Sequence, residues 1–198
     1  MNGPGGTGKT HVYNTLCYAL RAEGKIVLCV ASSGIASLLL LGGRTSHSTF
    51  KIPIKLWDGI VCSVKKGTML AELLCRVALV NWDEVAMQDQ RAVEAVDKTM
   101  QDIRNDLRPF GGCTVVWGGD FKQILPVVIK GGREQIIGLC LQRSVLWKKV
   151  EVLHLTQNMR LGGPDARQED KDFANWLLDV GNEKLTDAAH NITAVCRT

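Results

Sequence analysis

The sequence has no long hydrophobic run, and this absence argues against a membrane-spanning segment. Its longest apolar stretch lies within residues 35–41, whereas a transmembrane helix needs about 20 predominantly apolar residues. Hydrophobic residues make up 45% of the chain and charged residues 22%, which is ordinary for a globular domain. A chain of 198 residues is long enough for one domain that buries about 70% of the surface its unfolded form exposes.

The chain also lacks any Cys-x-x-Cys pair, although cysteine itself is not scarce. There are seven cysteines, an odd number, and they are scattered along the sequence. This pattern favours neither a disulfide framework nor a structural zinc site. We therefore predict free thiols in a reducing compartment inside the cell.

Charge of one sign is not concentrated anywhere in the sequence. No block of five or more like charges occurs, and the net charge of +4 with a pI near 8.7 is only mildly basic. The lysine pairs at 65–66 and 148–149 are typical of a solvated surface rather than of a binding stripe. This charge balance is compatible with a polyanionic partner but does not predict one.

The clearest motif is a glycine-rich segment, GPGGTGKT, which matches the phosphate-binding pattern G-x-x-x-x-G-K-[ST]. Such a loop turns its backbone N–H groups inward at the positive end of the following helix. We expect Lys9 to reach the β- and γ-phosphates of a nucleoside triphosphate, and the Thr10 hydroxyl to bind Mg²⁺. A glycine-rich turn with a chance lysine is the alternative. The predicted phosphate-binding residues are Gly3, Pro4, Gly5, Gly6, Thr7, Gly8, Lys9 and Thr10.

Short apolar runs alternate with helical stretches along the rest of the chain. Runs typical of strands buried on both faces lie at 25–31, 76–82, 113–117 and 150–155. Helical stretches lie at 9–23, 33–41, 90–107, 133–149 (with a break) and 170–180. This alternation predicts an α/β fold, a mostly parallel sheet with helices on both faces. The strand that normally leads into a phosphate loop has no counterpart before Gly3, so we expect it to be missing.

The segment LVNWDE ends an apolar strand with two adjacent carboxylates, Asp83 and Glu84. A strand end holds such side chains rigidly beside a phosphate loop. We expect Asp83 to bind Mg²⁺, directly or through water, and Glu84 to polarise the attacking water as general base. A surface turn would explain the pair if it stood alone, but the phosphate loop upstream favours the catalytic interpretation.

Two more apolar strands lead into polar segments. In WGGDFKQILPV, Gln123 is expected to hydrogen-bond the γ-phosphate or the attacking water. In LTQNMR, Arg160 is expected to neutralise charge that develops on the γ-phosphate. A solvated glutamine and a surface salt bridge are the ordinary alternatives, and both assignments depend on the neighbouring motifs.

Taken in order, GPGGTGKT, ASSGIASLLLLGGRTSHSTFKIPI, WDE, FGGCTVVWGGDFKQILPV and LTQNMR resemble motifs I, Ia, II, III and IV of the PIF-type DNA helicases. These form the 5′-to-3′ branch of helicase superfamily 1. The resemblance implies a RecA-like P-loop NTPase domain that uses ATP and Mg²⁺, with single-stranded DNA and duplex junctions as partners. It also implies that Gln123 couples nucleotide state to DNA grip and that Arg160 touches the γ-phosphate.

The resemblance further implies a DNA-gripping segment at 32–50. The residues expected near the DNA backbone are Ser33, Gly34, Thr45 and His47. Phe50 is a candidate for stacking on a base. Considered without the family, the same segment is more simply a helix and loop with Phe50 buried.

The extent of the resemblance predicts how the chain is divided. Residues 1–185 correspond to the first motor domain and 186–198 to a truncated tail, with the second motor domain absent.

We expect a helicase of DNA repair, recombination and telomere maintenance, in the nucleus of a eukaryote or in its mitochondria. A Helitron-type transposon helicase fragment, or an inactive remnant that only binds nucleotide or DNA, are the alternatives. A GTPase or kinase is disfavoured because no NKxD motif or lid pattern is present.

Overall fold

The computed structural model describes residues 1–121, 125–161 and 167–181. The helices are α1 (Lys9–Ala22), α2 (Gly34–Ser37), α3 (Ser46–Phe50), α4 (Met69–Arg76), α5 (Gln90–Arg104), α6 (Arg133–Gly138) and α7 (Gln168–Gly181). The strands are β1 (Ile26–Ala31), β2 (Arg44–Thr45), β3 (Val77–Asp83) and β4 (Thr114–Trp117). Short 3₁₀ turns lie at Val85–Met87, Pro109–Gly112, Leu141–Arg143, Val145–Lys149 and Met159–Leu161. No helix among these residues is long and apolar enough to cross a bilayer.

The strands form one parallel sheet in the order β2-β1-β3-β4. β1 lies along β3 up to the pair Ala31↔Asp83, and β3 lies along β4 up to the pair Trp82↔Trp117. The carboxyl ends of these strands therefore meet at one edge of the sheet, which is where parallel α/β sheets bind ligands. The predicted α/β fold with a parallel sheet is confirmed.

Helices cover both faces of the sheet, as predicted. On one face, α1 places Tyr13 and Cys17 against Val27, Cys29 and Leu79 in one apolar cluster. On the other face, α4 and α5 pack against the opposite side of the same strands. The central members of that larger cluster are Val30, Leu74, Val80, Trp82, Val93 and Met100. Because both faces are covered, β1 reads as a continuous apolar run, and so does β3 as far as Val80.

The predicted strand at 150–155 is not formed as a strand, and this part of the sequence prediction is corrected. Asn2 makes isolated parallel bridges to Gly119 and to His154. The Asn2 amide donates to the Leu153 carbonyl at 2.8 Å, and the Leu155 amide donates to the Asn2 carbonyl at 2.8 Å. A strand exists only where a neighbour supplies a hydrogen-bond ladder. Within the described chain, segment 153–155 finds that neighbour at one residue.

Several predicted helices are shorter than their sequence patterns suggested. The stretch at 33–41 forms only α2, because the chain turns back at Gly42 and Gly43 to enter β2. The stretch at 133–149 forms α6 followed by 3₁₀ turns. Helix α4 was not predicted, although its N-cap is visible in the sequence: the Thr68 hydroxyl accepts a hydrogen bond from the Ala71 amide at 3.3 Å.

Candidate nucleotide-binding site

The phosphate loop joins the bridge at Asn2 to the first turn of α1. Gly6 and Gly8 adopt left-handed backbone conformations with φ of 82° and 89°, which residues with a side chain rarely adopt. The Thr7 hydroxyl donates to the Pro4 carbonyl at 2.8 Å. The Lys9 ammonium donates to the carbonyls of Gly3 at 2.5 Å and Pro4 at 3.2 Å. The loop thus curls around its own lysine.

The loop fits an anion on two further grounds. A Cβ atom added at Gly5 or Gly8 would meet no atom within 4 Å, so the backbone there borders open space. Helix α1 has 14 residues and no acidic side chain in its first turn. Its positive N-terminal end is therefore not neutralised from within the helix, and backbone N–H groups at such an end bind phosphate.

Asp83 and Glu84 stand beside this loop at the end of β3. Asp83 is buried, and one carboxylate oxygen, Oδ1, accepts a hydrogen bond from the Tyr13 hydroxyl at 3.0 Å. Glu84 has φ 52° and ψ 34°, a left-handed conformation that is strained for a glutamate and that clusters at functional sites. The amide of Ser32 donates to the Asp83 carbonyl at 3.1 Å, which ties the end of β1 to this turn.

The ionisable groups around Glu84 affect its protonation. Burial raises the pKa of the Glu84 carboxyl, and the charge of Asp83 raises it further, while the Lys9 ammonium opposes the shift. A carboxylate with a raised pKa is a better proton acceptor near neutral pH. The pKa of Tyr13 is also raised, by burial and then by the charge of Asp83, so its hydroxyl stays protonated and remains a donor.

The residues present fit Mg²⁺ in one particular way. No group of three or more His, Cys, Asp or Glu side chains that could hold a metal ion occurs in the described ranges. Mg²⁺ in nucleotide-binding proteins commonly takes one or two protein oxygens and completes its shell with phosphate and water. The Asp83 carboxylate and the Thr10 hydroxyl are hard oxygen donors of that kind, so the site suits Mg²⁺ together with a phosphate rather than alone.

The segment that carries Arg160 packs directly on the phosphate loop. The Met159 amide donates to the Gly6 carbonyl at 2.9 Å, and the Arg160 amide donates to Asn158 Oδ1 at 3.1 Å. A Cβ atom at Gly6 would overlap Asn158 Oδ1 and lie 3.3 Å from Arg160 Cδ. The stem of Arg160 therefore lies beside the loop. Gln123, by contrast, is outside the described residues.

The predicted DNA-gripping residues are used in part for local structure. Ser33 is the N-cap of α2 and Thr45 is the N-cap of α3, while burial lowers the pKa of His47. Phe50 is 2% exposed, and its ring stacks on Trp82 with a centroid separation of 5.6 Å. The arrangement favours the buried alternative for Phe50, because a ring enclosed in the core cannot stack on a base.

Three residues at this edge were not singled out in the sequence. Tyr13 and Asn81 contact each other behind Asp83, and Gly118 follows β4 beside them. Tyr13 had a detectable signal, since a tyrosine on the buried stripe of a helix needs a partner for its hydroxyl. No local pattern identifies that partner as Asp83, which is 70 residues away along the chain.

Comparison with known proteins places this geometry in a family. The model of the PIF1-like helicase family matches residues 1–191. The chain is 27% identical over 191 residues to the ATP-dependent DNA helicase Pif1 of Psychrobacter sp. (strain PRwf-1), covering 96% of the chain and 29% of that protein. It is 31% identical over 188 residues to the ATP-dependent DNA helicase RRM3 of Saccharomyces cerevisiae, covering 91% of the chain and 24% of that protein.

Solved structures show the same relationship. The structure of Bacteroides Pif1 bound to ssDNA matches with a TM-score of 0.73 and 28% identity, over 93% of this chain and 42% of that one. The Bacteroides Pif1 complex with ADP-AlF3 and ssDNA matches with a TM-score of 0.74 and 28% identity, over the same shares. Pif1 helicase from Candida albicans matches with a TM-score of 0.74 and 25% identity, over 91% and 39%.

The chain spans less than half the length of each of these relatives. What it shares with them is the RecA-like α/β domain that carries the phosphate loop. Because the family model covers most of the sequence, the chain belongs to the PIF1-like helicase family.

Proposed function

We propose that this chain is the first motor domain of an ATP-dependent DNA helicase that moves 5′ to 3′ along single-stranded DNA and unwinds duplex. The observation that carries the proposal is the convergence of three separate segments at one edge of the sheet. These are the phosphate loop, the carboxylates at the end of β3, and the segment 158–160 that rests on Gly6. The direction of movement is supported by the family alone.

Within this proposal the chain's own residues divide the work on ATP. Lys9 exchanges its bonds to loop carbonyls for the β- and γ-phosphates, and the N–H groups at the start of α1 hold the phosphates in place. Asp83 and Thr10 supply oxygens to Mg²⁺, which neutralises phosphate charge when bound. Glu84 accepts a proton from the attacking water, Arg160 approaches the γ-phosphate, and Gln123 reports its presence.

Single-stranded DNA is the proposed second ligand. Support comes from the relatives, since Bacteroides Pif1 is bound to ssDNA in structures that match this fold. Ser33, Gly34, Thr45 and His47 remain the proposed contacts to the DNA backbone. Ser33 and Gly34 follow the end of β1, Thr45 is the last residue of β2, and His47 lies in α3 directly after it. These strand ends are at the same edge of the sheet as the nucleotide site, so movement at one site can reach the other.

The cellular role we propose is DNA repair, recombination and telomere maintenance, in the nucleus or the mitochondria of a eukaryotic host. The free thiols of the described cysteines are compatible with such a reducing compartment. A helicase of a Helitron-type transposon would carry the same motifs. A replication-initiator nuclease domain encoded beside this sequence would favour the transposon, and its absence would favour the cellular helicase.

The test is ATP hydrolysis by the chain, measured with and without single-stranded DNA, alongside binding of a fluorescent ADP analogue. We expect nucleotide binding that requires Lys9, and hydrolysis that DNA stimulates. Lys9→Ala is the matched control and should abolish both signals while the far-UV circular dichroism spectrum stays unchanged. Nucleotide binding without hydrolysis would instead identify a domain that only binds nucleotide. The absence of both binding and hydrolysis would overturn the proposal.

A further inference from the structure

Tyr13 joins the phosphate-loop helix to the strand that carries the carboxylates. The residue is fully buried on α1. Its hydroxyl donates to Asp83 Oδ1 at 3.0 Å, and its backbone carbonyl accepts a hydrogen bond from Asn81 Nδ2 at 3.3 Å. Asn81 and Asp83 are two positions apart on β3 and therefore face the same side of the sheet. One residue thus makes two polar contacts across the α1–β3 boundary.

The Tyr13 hydroxyl also lies in a space beside Gly118, the residue that follows β4. A Cβ atom added at Gly118, just after β4, would overlap the hydroxyl and lie 3.4 Å from Asp83 Oδ1. Gly118 is itself held in place, because its amide donates to the Trp82 carbonyl at 2.8 Å and its carbonyl accepts from the Val85 amide at 3.0 Å. Only a glycine at 118 leaves room for a tyrosine at 13.

This arrangement fixes the orientation of the Asp83 carboxylate. The side chain is 6% exposed, so a hydrogen bond to its carboxylate is not shared with bulk water and is correspondingly strong. Tyr13 contacts one oxygen of the carboxylate and thereby fixes the direction of the other. Residues that orient a metal-binding carboxylate typically change metal affinity 10- to 100-fold when they are removed.

We propose that Tyr13 is a positioning residue for Mg²⁺: its hydroxyl orients the Asp83 carboxylate toward the nucleotide, and Gly118 provides the room. The proposal rests on the proposed function, because it assigns Asp83 to Mg²⁺. It adds that α1, the helix that follows the phosphate loop, also holds the Asp83 side chain of β3 through Tyr13.

The test compares Tyr13→Phe with Tyr18→Phe. Both tyrosines lie on α1, but Tyr18 is 65% exposed, so each variant removes one hydroxyl from the same helix. The measurement is binding of a fluorescent ADP analogue to the 198-residue chain over a Mg²⁺ titration. We expect Tyr13→Phe to need roughly 10-fold more Mg²⁺ for half-maximal enhancement of binding. Binding in EDTA should be unchanged in both variants, and Tyr18→Phe should match wild type throughout.

A second measurement tests the contact without nucleotide. Thermal unfolding of wild type, Tyr13→Phe, Asp83→Asn and the double variant forms a double-mutant cycle. We expect the two changes to be non-additive, with Tyr13→Phe costing less in the Asp83→Asn background. Additive melting shifts, or a Mg²⁺ requirement in Tyr13→Phe equal to that of wild type, would overturn the role of Tyr13 alone. Wild-type protein whose nucleotide binding ignores Mg²⁺ would overturn this role together with the proposed metal site.

Discussion

The two faces of the central sheet are built from different chemistry. On the face toward α4 and α5, Trp82 and Phe50 stack inside a continuous apolar core. On the face toward α1, polar groups run along β3: Asn81 is fully buried, and its amide reaches the Tyr13 carbonyl and the Cys17 thiol. Asp83 ends this polar row at the edge where the phosphate loop lies.

One short strand, β3, contributes to both faces. Side chains alternate along β3, so Val80 and Trp82 enter the apolar core while Asn81 and Asp83 face α1. Burial of polar groups is costly unless they are hydrogen-bonded, and α1 provides partners for Asn81 Nδ2 and for Asp83 Oδ1. The α4/α5 face therefore carries the larger apolar cluster, and the α1 face holds the carboxylate that we propose acts on the nucleotide.

Removal of the Trp82 ring should have the largest effect on stability. Trp82 is 0% exposed and lies in the centre of the α4/α5 face, so Trp82→Ala should cost about 3–5 kcal/mol in the free energy of unfolding. Trp57 is 59% exposed, and Trp57→Ala is the control, with an expected change within about 0.5 kcal/mol. Urea denaturation measures both. Equal losses would contradict the assignment of the core to this face.

Arg104 is a polar residue at the end of α5, on the α4/α5 face. Its guanidinium donates to the carbonyls of Leu74 at 2.9 Å, Cys75 at 2.7 Å and Gly111 at 2.7 Å. The bonds to Leu74 and Cys75 cap the end of α4, and the bond to Gly111 holds the turn at Pro109–Gly112. Arg104→Ala should therefore destabilise the chain by about 2–3 kcal/mol. Arg104→Lys should recover only part of this, because one ammonium cannot span the same fork. Arg108→Ala, at an exposed arginine, is the control in the same denaturation experiment.

Gly6→Ala tests the contact between the phosphate loop and segment 158–160. The added Cβ would be strained at φ 82° and would overlap Asn158, so we expect a loss of about 1–2 kcal/mol together with weaker nucleotide binding. Gly24→Ala has a similar φ of 73° but meets nothing within 4 Å. It should show the strain without the binding defect. A binding defect of equal size in both variants would contradict the contact's role.

Glu84→Gln should have the smallest effect, and its sign depends on pH. Burial and Asp83 raise the pKa of Glu84 above its usual value of 4.5, so the folded state binds the proton more tightly than the unfolded state does. Stability then falls as pH rises from 4.5 through the raised value. Glu84→Gln should melt at a higher temperature than wild type at neutral pH, and the difference should disappear below pH 4.5. Glu151→Gln, at an exposed glutamate, is the matched control for these melts.

The sequence predicted the central part of this fold well because its signals are local. The runs at 25–31 and 76–82 became β1 (Ile26–Ala31) and β3 (Val77–Asp83) within a residue at each end. The run at 150–155 carries the same signal but makes a single bridge through His154. An apolar, β-branched segment has a high propensity for extended structure. A strand also needs a hydrogen-bonding partner, and no local sequence pattern gives the position of that partner.

The site shows the same division. Residue types and spacing alone predicted the phosphate loop, Asp83 and Glu84 as a nucleotide site, because phosphate and Mg²⁺ demand glycine, lysine and carboxylate in a fixed order. Phe50 is not part of a motif with fixed spacing, so the residues next to it in the sequence do not indicate which ring it packs against. Its burial against Trp82 follows from the packing of elements that are distant in the chain.

Residue types and their order account for the chemistry available at the carboxyl edge of the sheet, because that chemistry depends on which atoms are present. How the Asp83 carboxylate is held depends instead on the packed fold. Its donor lies on α1 and the room for that donor lies at Gly118, and these residues meet because the parallel sheet brings β3 and β4 to a common edge beneath the helix. A hydrogen bond depends on distance in space, which residue order does not record.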